Sequence, residues 1–129
     1  MILVDTSVWV AALRRRRAEA AELGHLFDED AVLLAAPVRI EILSGASRRD
    51  RGRLRRLLSA FPVAYPDQGT WERIDRWLDV AGEAGERFGF ADLLIGALAA
   101  ERDAPVWSFD SDFARLARLG LIRLHRAGR

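Results

Sequence analysis

Four acidic residues could together bind a metal ion, and three of them lie where strands or helices of the chain are predicted to begin or end. Asp5 directly follows the apolar run ILV, and Asp110 follows the apolar run VWSF. Asp92 opens the very apolar segment DLLIGALAA, and Glu41 lies within the apolar segment VRIEIL. Carboxylate oxygens are the ligands that hard cations such as Mg²⁺ and Mn²⁺ prefer. Because clustered carboxylates repel one another, this set of residues favours a divalent-cation site.

Each of these acids also has a structural explanation when it is considered alone. Asp92 could be a helix cap or a first-turn acid that interacts with the helix dipole, and Thr6 or Ser7 could cap the helix that follows Asp5. Glu41 is harder to explain, because we expect few exposed positions in its helix and a buried carboxylate needs a partner. Arg39 would project elsewhere on that helix, so a metal ion is a suitable partner for Glu41.

The composition argues against several other kinds of site. Cysteine is absent, which excludes a thiolate zinc site and a cysteine nucleophile and is compatible with a reducing cytoplasm. All 20 basic residues are arginine, so the lysine needed by a P-loop or by a dehalogenase-like phosphatase is missing. The two histidines, His25 and His125, are distant in sequence from the four acids, so we do not expect a histidine-based ribonuclease mechanism.

Short apolar strands alternate with helical segments along the chain. Strands are predicted at 2–4, 31–36, 106–109 and 121–125, with at most a brief strand at 63–65. Helices are predicted at 7–13, 17–27, 37–46, 51–61, 70–85, 90–104 and 111–120. This alternation is typical of an α/β sandwich around a mostly parallel sheet. Since ligands of such a sheet bind beyond the carboxyl ends of its strands, Asp5 and Asp110 should project toward the same edge.

Two of the predicted helices have informative apolar patterns. The segment TWERIDRWLDVAGEAG places Trp71, Ile74, Leu78 and Ala81 on one helical face. We expect the four tryptophans of the chain, at 9, 71, 77 and 107, to be core or half-buried packing residues. The segment FADLLIGALAAERDA is apolar nearly all round, which predicts a helix at the centre of the molecule.

The length of 129 residues and the hydrophobic share of 50% predict one domain over 1–129 with its own core. No apolar run is long enough to span a bilayer and no signal peptide is visible, so we expect a cytoplasmic protein.

Arginines cluster in two runs of the sequence. RRRR fills 14–17, and RRDRGRLRR fills 48–56. Such runs are usually solvated helix faces, although arginine also binds phosphate groups bidentately. The sequence alone leaves both interpretations open.

Four segments together resemble the PIN-domain ribonucleases, in particular the VapC-type toxins of bacterial toxin–antitoxin systems. These segments are ILVDTSVW, APVRIEILSG, FADLLIGALAA and VWSFDSDFARL, and they occur in the family's order over nearly the whole chain. The resemblance implies a three-layer α/β/α sandwich with a short, mostly parallel sheet. It also implies an acidic pocket built from Asp5, Glu41, Asp92 and Asp110, with the Thr6 hydroxyl in a supporting position.

Two further positions match the family's late motif. Asp112 corresponds to the second acid of its D-x-D-F pattern, and we rank it below Asp110 as a metal ligand because that end of the pocket varies among members. Ser108 stands where many members have threonine.

The resemblance implies a ribonuclease toxin that holds Mg²⁺ or Mn²⁺ in the acidic pocket and cuts RNA, with tRNA or rRNA as the expected substrate. The implied partners are a small inhibitory antitoxin and a second copy of the chain in a homodimer. With RNA as the substrate, we expect Arg51, Arg53, Arg55 and Arg56 to contact the phosphate backbone. The alternative is a non-catalytic PIN-like module that binds RNA or another protein, and the presence of all four acids argues against it.

Overall fold

Four parallel strands form the sheet around which the helices pack. In the computed structural model, which describes residues 1–126, the strands are β1 (Ile2–Val4), β2 (Val32–Ala35), β3 (Val63–Ala64) and β4 (Val106–Trp107). The strand order is β3-β2-β1-β4, and each pair of neighbours is parallel. The predicted mostly parallel sheet is confirmed.

Seven helices connect and follow the strands within the described residues. They are α1 (Thr6–Leu13), α2 (Arg17–Asp28), α3 (Ala36–Gly45), α4 (Arg48–Leu58), α5 (Gln68–Glu83), α6 (Phe90–Glu101) and α7 (Ser111–Arg118). Crossovers between parallel strands are right-handed. The helices between β1 and β3 therefore cover one face of the sheet, whereas α5 and α6, which cross back from β3 to β4, cover the other. The predicted three-layer α/β/α arrangement is confirmed.

The direction of the strand order reverses between β1 and β4. The chain passes from β1 to β2 and β3 on one side, and then returns to place β4 on the other side of β1. At such a reversal the connecting helices leave the strands on opposite faces, which opens a crevice at the carboxyl ends. Asp5 follows β1 and Asp110 lies shortly after β4, so the fold brings both acids to this crevice.

Helix α6 lies in the core, as its sequence predicts. Residues 93–99 are all buried. A Cβ atom at Gly96 would lie only 3.2 Å from the Leu116 side chain and 3.3 Å from the Trp77 ring, so α6 packs closely against both α7 and α5. Asp92, in the first turn of α6, is therefore carried by one of the most firmly packed elements of the protein.

Only part of the apolar face predicted for α5 is buried. Ile74 and Ala81 are buried, but Trp71 is 45% exposed and Leu78 is 53% exposed. The large buried side chain between Ile74 and Ala81 is that of Trp77, one residue away from Leu78. Residues three and four apart share a helix face, and Trp77 fits that spacing with Ile74 and Ala81 as well as Leu78 does. The apolar pattern alone therefore could not decide between the two candidates.

The strands near the chain end are shorter than predicted. The strand expected at 106–109 stops at Trp107, and the strand expected at 121–125 is reduced to a single parallel bridge between Val106 and Leu124. Val106 exchanges backbone hydrogen bonds with this last segment, through Arg123 and His125. The chain leaves β4 after Trp107 because the next residues turn into α7.

Residues 127–129 of the predicted domain lie outside the described part of the chain. Within residues 1–126, none of the helices combines the length and the apolar character that crossing a membrane requires.

Candidate metal centre

Three carboxylates meet at the crevice beyond the sheet. Asp92, Asp110 and Asp112 each offer an oxygen, and these oxygens lie within 4.8 Å of one another. Asp92 comes from the first turn of α6, whereas Asp110 is the N-cap residue of α7 and Asp112 lies in that helix's first turn. The Asp112 backbone N–H donates to Asp110 Oδ1 at 2.9 Å, which fixes the two acids of the late motif relative to each other.

Asp5 is the most deeply buried acid of the site. It is only 6% exposed, and its Oδ2 accepts hydrogen bonds from the hydroxyls of Ser108 at 2.7 Å and Ser7 at 3.1 Å. Both hydroxyls bond the same oxygen, which leaves Oδ1 as the oxygen available to a ligand. Because Ser7 belongs to α1 and Ser108 follows β4, the Asp5 carboxylate ties together the two sides of the crevice.

The environment of Asp92 makes its ionisation unfavourable. Burial raises the pKa of Asp92 to about 7, with further contributions from its hydrogen bond to Asp112 and from the charges of Asp110, Asp112 and Asp5. Below that pH the protonated Asp92 carboxyl donates a hydrogen bond to the Asp112 carboxylate. This competition for a proton is what clustered acids show when no cation neutralises them.

Arg115 partly compensates the acidic cluster from one side. Its Nη1 donates to Asp112 Oδ1 at 2.8 Å, and its Nε donates to Glu86 Oε2 at 3.0 Å. The Arg115 guanidinium lowers the pKa of the Asp112 carboxyl, and the hydrogen bond from Asp92 acts in the same direction. Asp112 therefore stays ionised, while Asp92 holds a proton below about pH 7.

Glu41 lies outside the group of three carboxylates, and its expected burial is wrong. The side chain is exposed, because the core-facing positions of α3 are Val38, Ile42 and Leu43. Its partner is the Thr6 hydroxyl, which donates to Glu41 Oε1 at 3.0 Å. Thr6 directly follows Asp5, so this bond keeps Glu41 beside the crevice.

The cap of α1 differs from the expected one, whereas Asp92 is the first-turn acid that was one of its two expected structural roles. The N-cap of α1 is Asp5 rather than Thr6 or Ser7, and no side chain among the described residues caps that helix. The N-cap of α6 is Gly89, so Asp92 is a first-turn acid and not a cap. Asp92 is therefore not needed to satisfy the N-terminus of α6 by a capping hydrogen bond, which leaves its carboxylate free for the site.

The four arginines predicted to contact RNA differ in their surroundings. Arg51 is half-buried, and its guanidinium donates to the backbone oxygens of Leu43 at 3.0 Å and Ala46 at 3.2 Å, which holds α4 to the end of α3. Arg53 forms an ion pair with Asp50 at 3.4 Å. Arg55 and Arg56 are exposed. Their contact with RNA stays a prediction, and Arg51 has a structural role in addition.

Sequence reasoning did not identify Arg115 or Glu86 as neighbours of the site. The spacing of Asp112 and Arg115, three residues apart on a helix, could have indicated their ion pair. Glu86 could not be found in this way, because it lies between α5 and α6 and reaches Arg115 only through the tertiary fold.

The donor set of this site fits a hard divalent cation. The side chains that converge are carboxylates with hydroxyl partners, and the sequence has no cysteine. Oxygen-only sites of this kind suit Mg²⁺ and Mn²⁺ and are a poor match for zinc. The raised pKa of Asp92 agrees, because a cation would remove the repulsion that causes part of it.

Comparison with known proteins places this geometry in a family. The family model for the PIN domain matches residues 2–119. Ribonuclease VapC11 of Mycobacterium tuberculosis is 36% identical over 125 residues, covering 92% of this chain and 93% of that protein. Among solved structures, VapBC-5 from Mycobacterium tuberculosis, a member of the VapBC family of toxin–antitoxin systems, has a TM-score of 0.73 at 24% identity and covers 97% of each chain.

A second solved structure is VapBC2 from Rickettsia felis bound to a DNA fragment from its promoter. It has a TM-score of 0.79 at 17% identity, over 97% of this chain and 98% of that one. The chain belongs to the PIN-domain family, and within it to the VapC ribonucleases.

The first prediction tests Asp92 as a metal ligand. Asp92→Asn keeps the shape of the side chain and removes one charge from the cluster, so the metal-free variant should be as stable as the wild type or more stable. It should lose most of the rise in melting temperature that the wild type shows in millimolar Mg²⁺ or Mn²⁺, since that rise comes from binding to the native state alone. The measurement is a pair of thermal melts, with chelator and with metal. Asp79→Asn, at an exposed position of α5, is the matched control and should gain as much from metal as the wild type. Equal gains for wild type and Asp92→Asn would remove Asp92 from the site.

The second prediction concerns pH. With its pKa raised to about 7, Asp92 holds a proton below that pH and must release it before it can bind a cation. Affinity for Mg²⁺ or Mn²⁺ should therefore rise about tenfold per pH unit below 7 and level off above it. The metal-free protein should show the opposite trend, losing stability as the pH rises from about 4, where the unfolded carboxyl titrates, to about 7. Isothermal titration calorimetry between pH 5.5 and 8.5 measures the first trend. A metal affinity that is flat across pH 7 would contradict the assignment.

Proposed function

We propose that this chain is a divalent-metal-dependent endoribonuclease and the toxin of a type II toxin–antitoxin pair. The observation that carries the proposal is the convergence of Asp92, Asp110 and Asp112 within 4.8 Å beside the buried Asp5, in a member of the VapC ribonucleases. The most suitable ions are Mg²⁺ and Mn²⁺, because every converging ligand is a hard oxygen donor.

A bound divalent ion supplies a Lewis acid that neutralises charge on the scissile phosphate and lowers the pKa of a water. Asp5, Asp92 and Asp110 would hold it, with Asp5 oriented by the Ser7 and Ser108 hydroxyls. The Asp112 carboxylate is already paired with the Arg115 guanidinium, so Asp112 is better suited to orient Asp92 or to hold a second, weakly bound ion.

The remaining acid has a different part in the reaction. Glu41 is exposed, and within residues 1–126 its carboxylate accepts one hydrogen bond, from Thr6. Its second carboxylate oxygen can therefore accept a hydrogen bond from the attacking water. Thr6 adjoins Asp5 in the chain, and its hydroxyl therefore couples the orientation of Glu41 to the position of the buried acid.

The substrate that this chemistry fits is RNA, with tRNA or rRNA as the proposed targets. The relative VapC11 is a ribonuclease, which supports the class of substrate, and the exposed Arg55 and Arg56 could contribute phosphate contacts on α4.

The third prediction is metal-dependent cleavage of RNA. Purified protein incubated with a panel of tRNAs and rRNA fragments should cut in Mg²⁺ or Mn²⁺, stop when a chelator is added and recover when metal is restored. Asp5→Asn should lower the cleavage rate by about 100-fold or more, because even the mutation of residues that hydrogen-bond to metal ligands typically lowers activity about 10–100-fold. Asp79→Asn, which makes the same chemical change on the exposed face of α5, should cut at the wild-type rate. Cleavage that persists in chelator, or that Asp5→Asn leaves intact, would contradict the mechanism.

An apolar groove supports the second half of the proposal, the antitoxin partner. The groove lies between α1, α2 and α4 and has a volume of about 440 Å³. Its walls include Trp9, Leu23, Phe27, Leu57 and Phe61. Phe27 and Leu57 are large apolar side chains that remain exposed. An amphipathic helix bound in such a groove would bury them, and the likeness to VapBC-5, a member of a family of toxin–antitoxin systems, supports an antitoxin segment as the occupant.

The fourth prediction tests this groove. Leu57→Glu would place a carboxylate against the apolar side of the antitoxin helix, so the dissociation constant for the cognate antitoxin should rise about 100-fold or more. Hydrolysis of the small phosphodiester bis-p-nitrophenyl phosphate should be unchanged, because Leu57 is outside the acidic cluster. Val80→Glu, a comparable change at an exposed apolar position of α5, should bind the antitoxin normally. Surface plasmon resonance measures both affinities, and wild-type binding by Leu57→Glu would place the antitoxin elsewhere.

The expected homodimer stays a prediction. Trp71 and Phe90 stack with ring centroids 6.1 Å apart and are both exposed, so they offer apolar surface that a second copy of the chain could cover.

A further inference from the structure

Two arginines of the first run, 14–17, lie beside the acidic site. Arg14 and Arg16 line a small cleft of about 170 Å³ together with Ser7, Val10, Ala11 and Phe109. Ser7 is one of the two hydroxyl partners of Asp5, so this cleft adjoins the candidate metal centre directly. The catalytic roles proposed for the acids make no use of these arginines.

The backbone holds both arginines in place at the end of α1. The Arg15 N–H donates to Ala12 O at 3.0 Å and the Arg16 N–H donates to Ala11 O at 3.1 Å, which is the pattern of a Schellman cap. Arg15 has a φ of 59°, in the left-handed region where such caps normally have glycine. Arg15 thus occupies a backbone position that favours glycine. The tight turn at Arg15 brings Arg14 and Arg16 to the same cleft.

Neither arginine forms an ion pair with an acid in the part of the chain that the structure describes. Among residues 1–126, no ion pair or side-chain hydrogen bond joins Arg14 or Arg16 to another group, and both are exposed. Arg115, on the opposite side of the cluster, is by contrast bound to Asp112 and Glu86. The cleft therefore presents two unneutralised positive charges next to a site that is proposed to bind a phosphate.

Phe109 supplies an aromatic ring at the same cleft. It is 57% exposed, although its backbone N–H donates to Ser7 Oγ at 3.1 Å and is thereby fixed to the site. The neighbouring residues Ser108 and Asp110 both belong to the acidic site. An exposed aromatic ring on a fixed backbone, beside free arginines, is the combination that binds single-stranded nucleic acids through base stacking and phosphate contacts.

Arg14 also connects this cleft to the Glu41 side of the site. It lines a second cleft of about 420 Å³ whose walls include Glu41, Ile42, Arg53 and Leu54. Because α1 has 8 residues and rises about 12 Å, Arg14 lies roughly that far along the helix from Asp5. A strand of RNA bound at the acids would need to extend by only a few nucleotides to reach it.

We propose that Arg14, Arg16 and Phe109 form a binding subsite for single-stranded RNA that flanks the scissile phosphate. The two guanidinium groups bind backbone phosphates, and the Phe109 ring stacks on an unpaired base. This inference rests on the proposed ribonuclease function and adds to it the residues that hold the strand beside the cleavage point. A mononucleotide-sized phosphodiester engages the acids and does not reach the arginines.

The fifth prediction compares RNA binding and cleavage by matched variants. Binding of a fluorescein-labelled single-stranded RNA in Mg²⁺ is measured by anisotropy at several salt concentrations, in an Asp92→Asn background so that the RNA stays intact while the Asp5–Ser7–Phe109 contacts are kept. Arg14→Gln with Arg16→Gln should reduce the slope of log K against log salt by about 1.4, since each lost phosphate contact on a single strand removes about 0.7. Phe109→Ala should weaken binding about tenfold with no change in that slope, and Phe109→Trp should restore it.

The control pair removes the same charge elsewhere. Arg76→Gln with Arg118→Gln changes two arginines on α5 and α7, outside both clefts, and should leave the salt slope within about 0.3 of the parent. Thermal melts of all variants check folding. Arg14→Lys with Arg16→Lys, which keeps both positive charges, should retain most of the parent's salt slope, and it tests the charges even if the doubly neutral variant folds poorly.

A small substrate separates this inference from the proposed function. With the otherwise wild-type protein in Mn²⁺, bis-p-nitrophenyl phosphate should be hydrolysed equally by the parent and by the Arg14, Arg16 and Phe109 variants, while RNA cleavage falls in the variants. If the protein binds and cuts RNA, but the Arg14, Arg16 and Phe109 variants keep the same salt slope and the same cleavage rate, the subsite alone is overturned. A parent that neither binds nor cuts RNA overturns the proposed function and the subsite together.

Discussion

The arrangement of the site depends on one buried carboxylate, that of Asp5. Its Oδ2 accepts hydrogen bonds from Ser7 at the start of α1 and from Ser108 after β4, so it joins the two elements that diverge at the reversal of the strand order. A buried charge is tolerated only where hydrogen bonds or a counter-ion compensate it. The two hydroxyls provide part of that compensation, and the neighbouring Thr6 extends the same network to Glu41.

Around this carboxylate the protein accepts electrostatic repulsion in its metal-free state. The unfavourable energy falls mainly on Asp92, because burial and the neighbouring acids both oppose the ionisation of its carboxyl. The close packing of α6 prevents Asp92 from moving away. Arg115 relieves the cluster on the side of Asp112. The site is therefore rigid where it carries the most unfavourable charge, which is the arrangement that a preformed cation site requires.

The sequence was sufficient to predict that Asp92, Asp110 and Asp112 lie close together, because these acids adjoin elements with strong apolar patterns. Asp5 and Asp110 come after buried strands, and Asp92 opens a helix that is apolar on all sides, so the topology of a parallel sheet brings them together. The exposure of Glu41 was predicted wrongly because most residues of α3 are apolar, so the sequence pattern does not show which side of the helix faces solvent.

The contacts that the sequence did not indicate arise between elements distant in the chain. Glu86 meets Arg115 only when α7 packs beside the end of α5, and no periodicity within either segment signals such a pair. The same limit explains the choice between Trp77 and Leu78 on α5, which the neighbouring helices make and the local pattern does not.

The Asp112 N–H donates a hydrogen bond to Asp110 Oδ1, so the Asp110 carboxylate has two roles. Asp110 caps α7, and it is also among the oxygens that converge on the proposed cation. Any ion that draws electron density from this carboxylate must alter the amide that the carboxylate caps. The N-terminal turn of α7 is thus a built-in spectroscopic reporter of occupancy, readable at a single backbone amide without any label in the substrate.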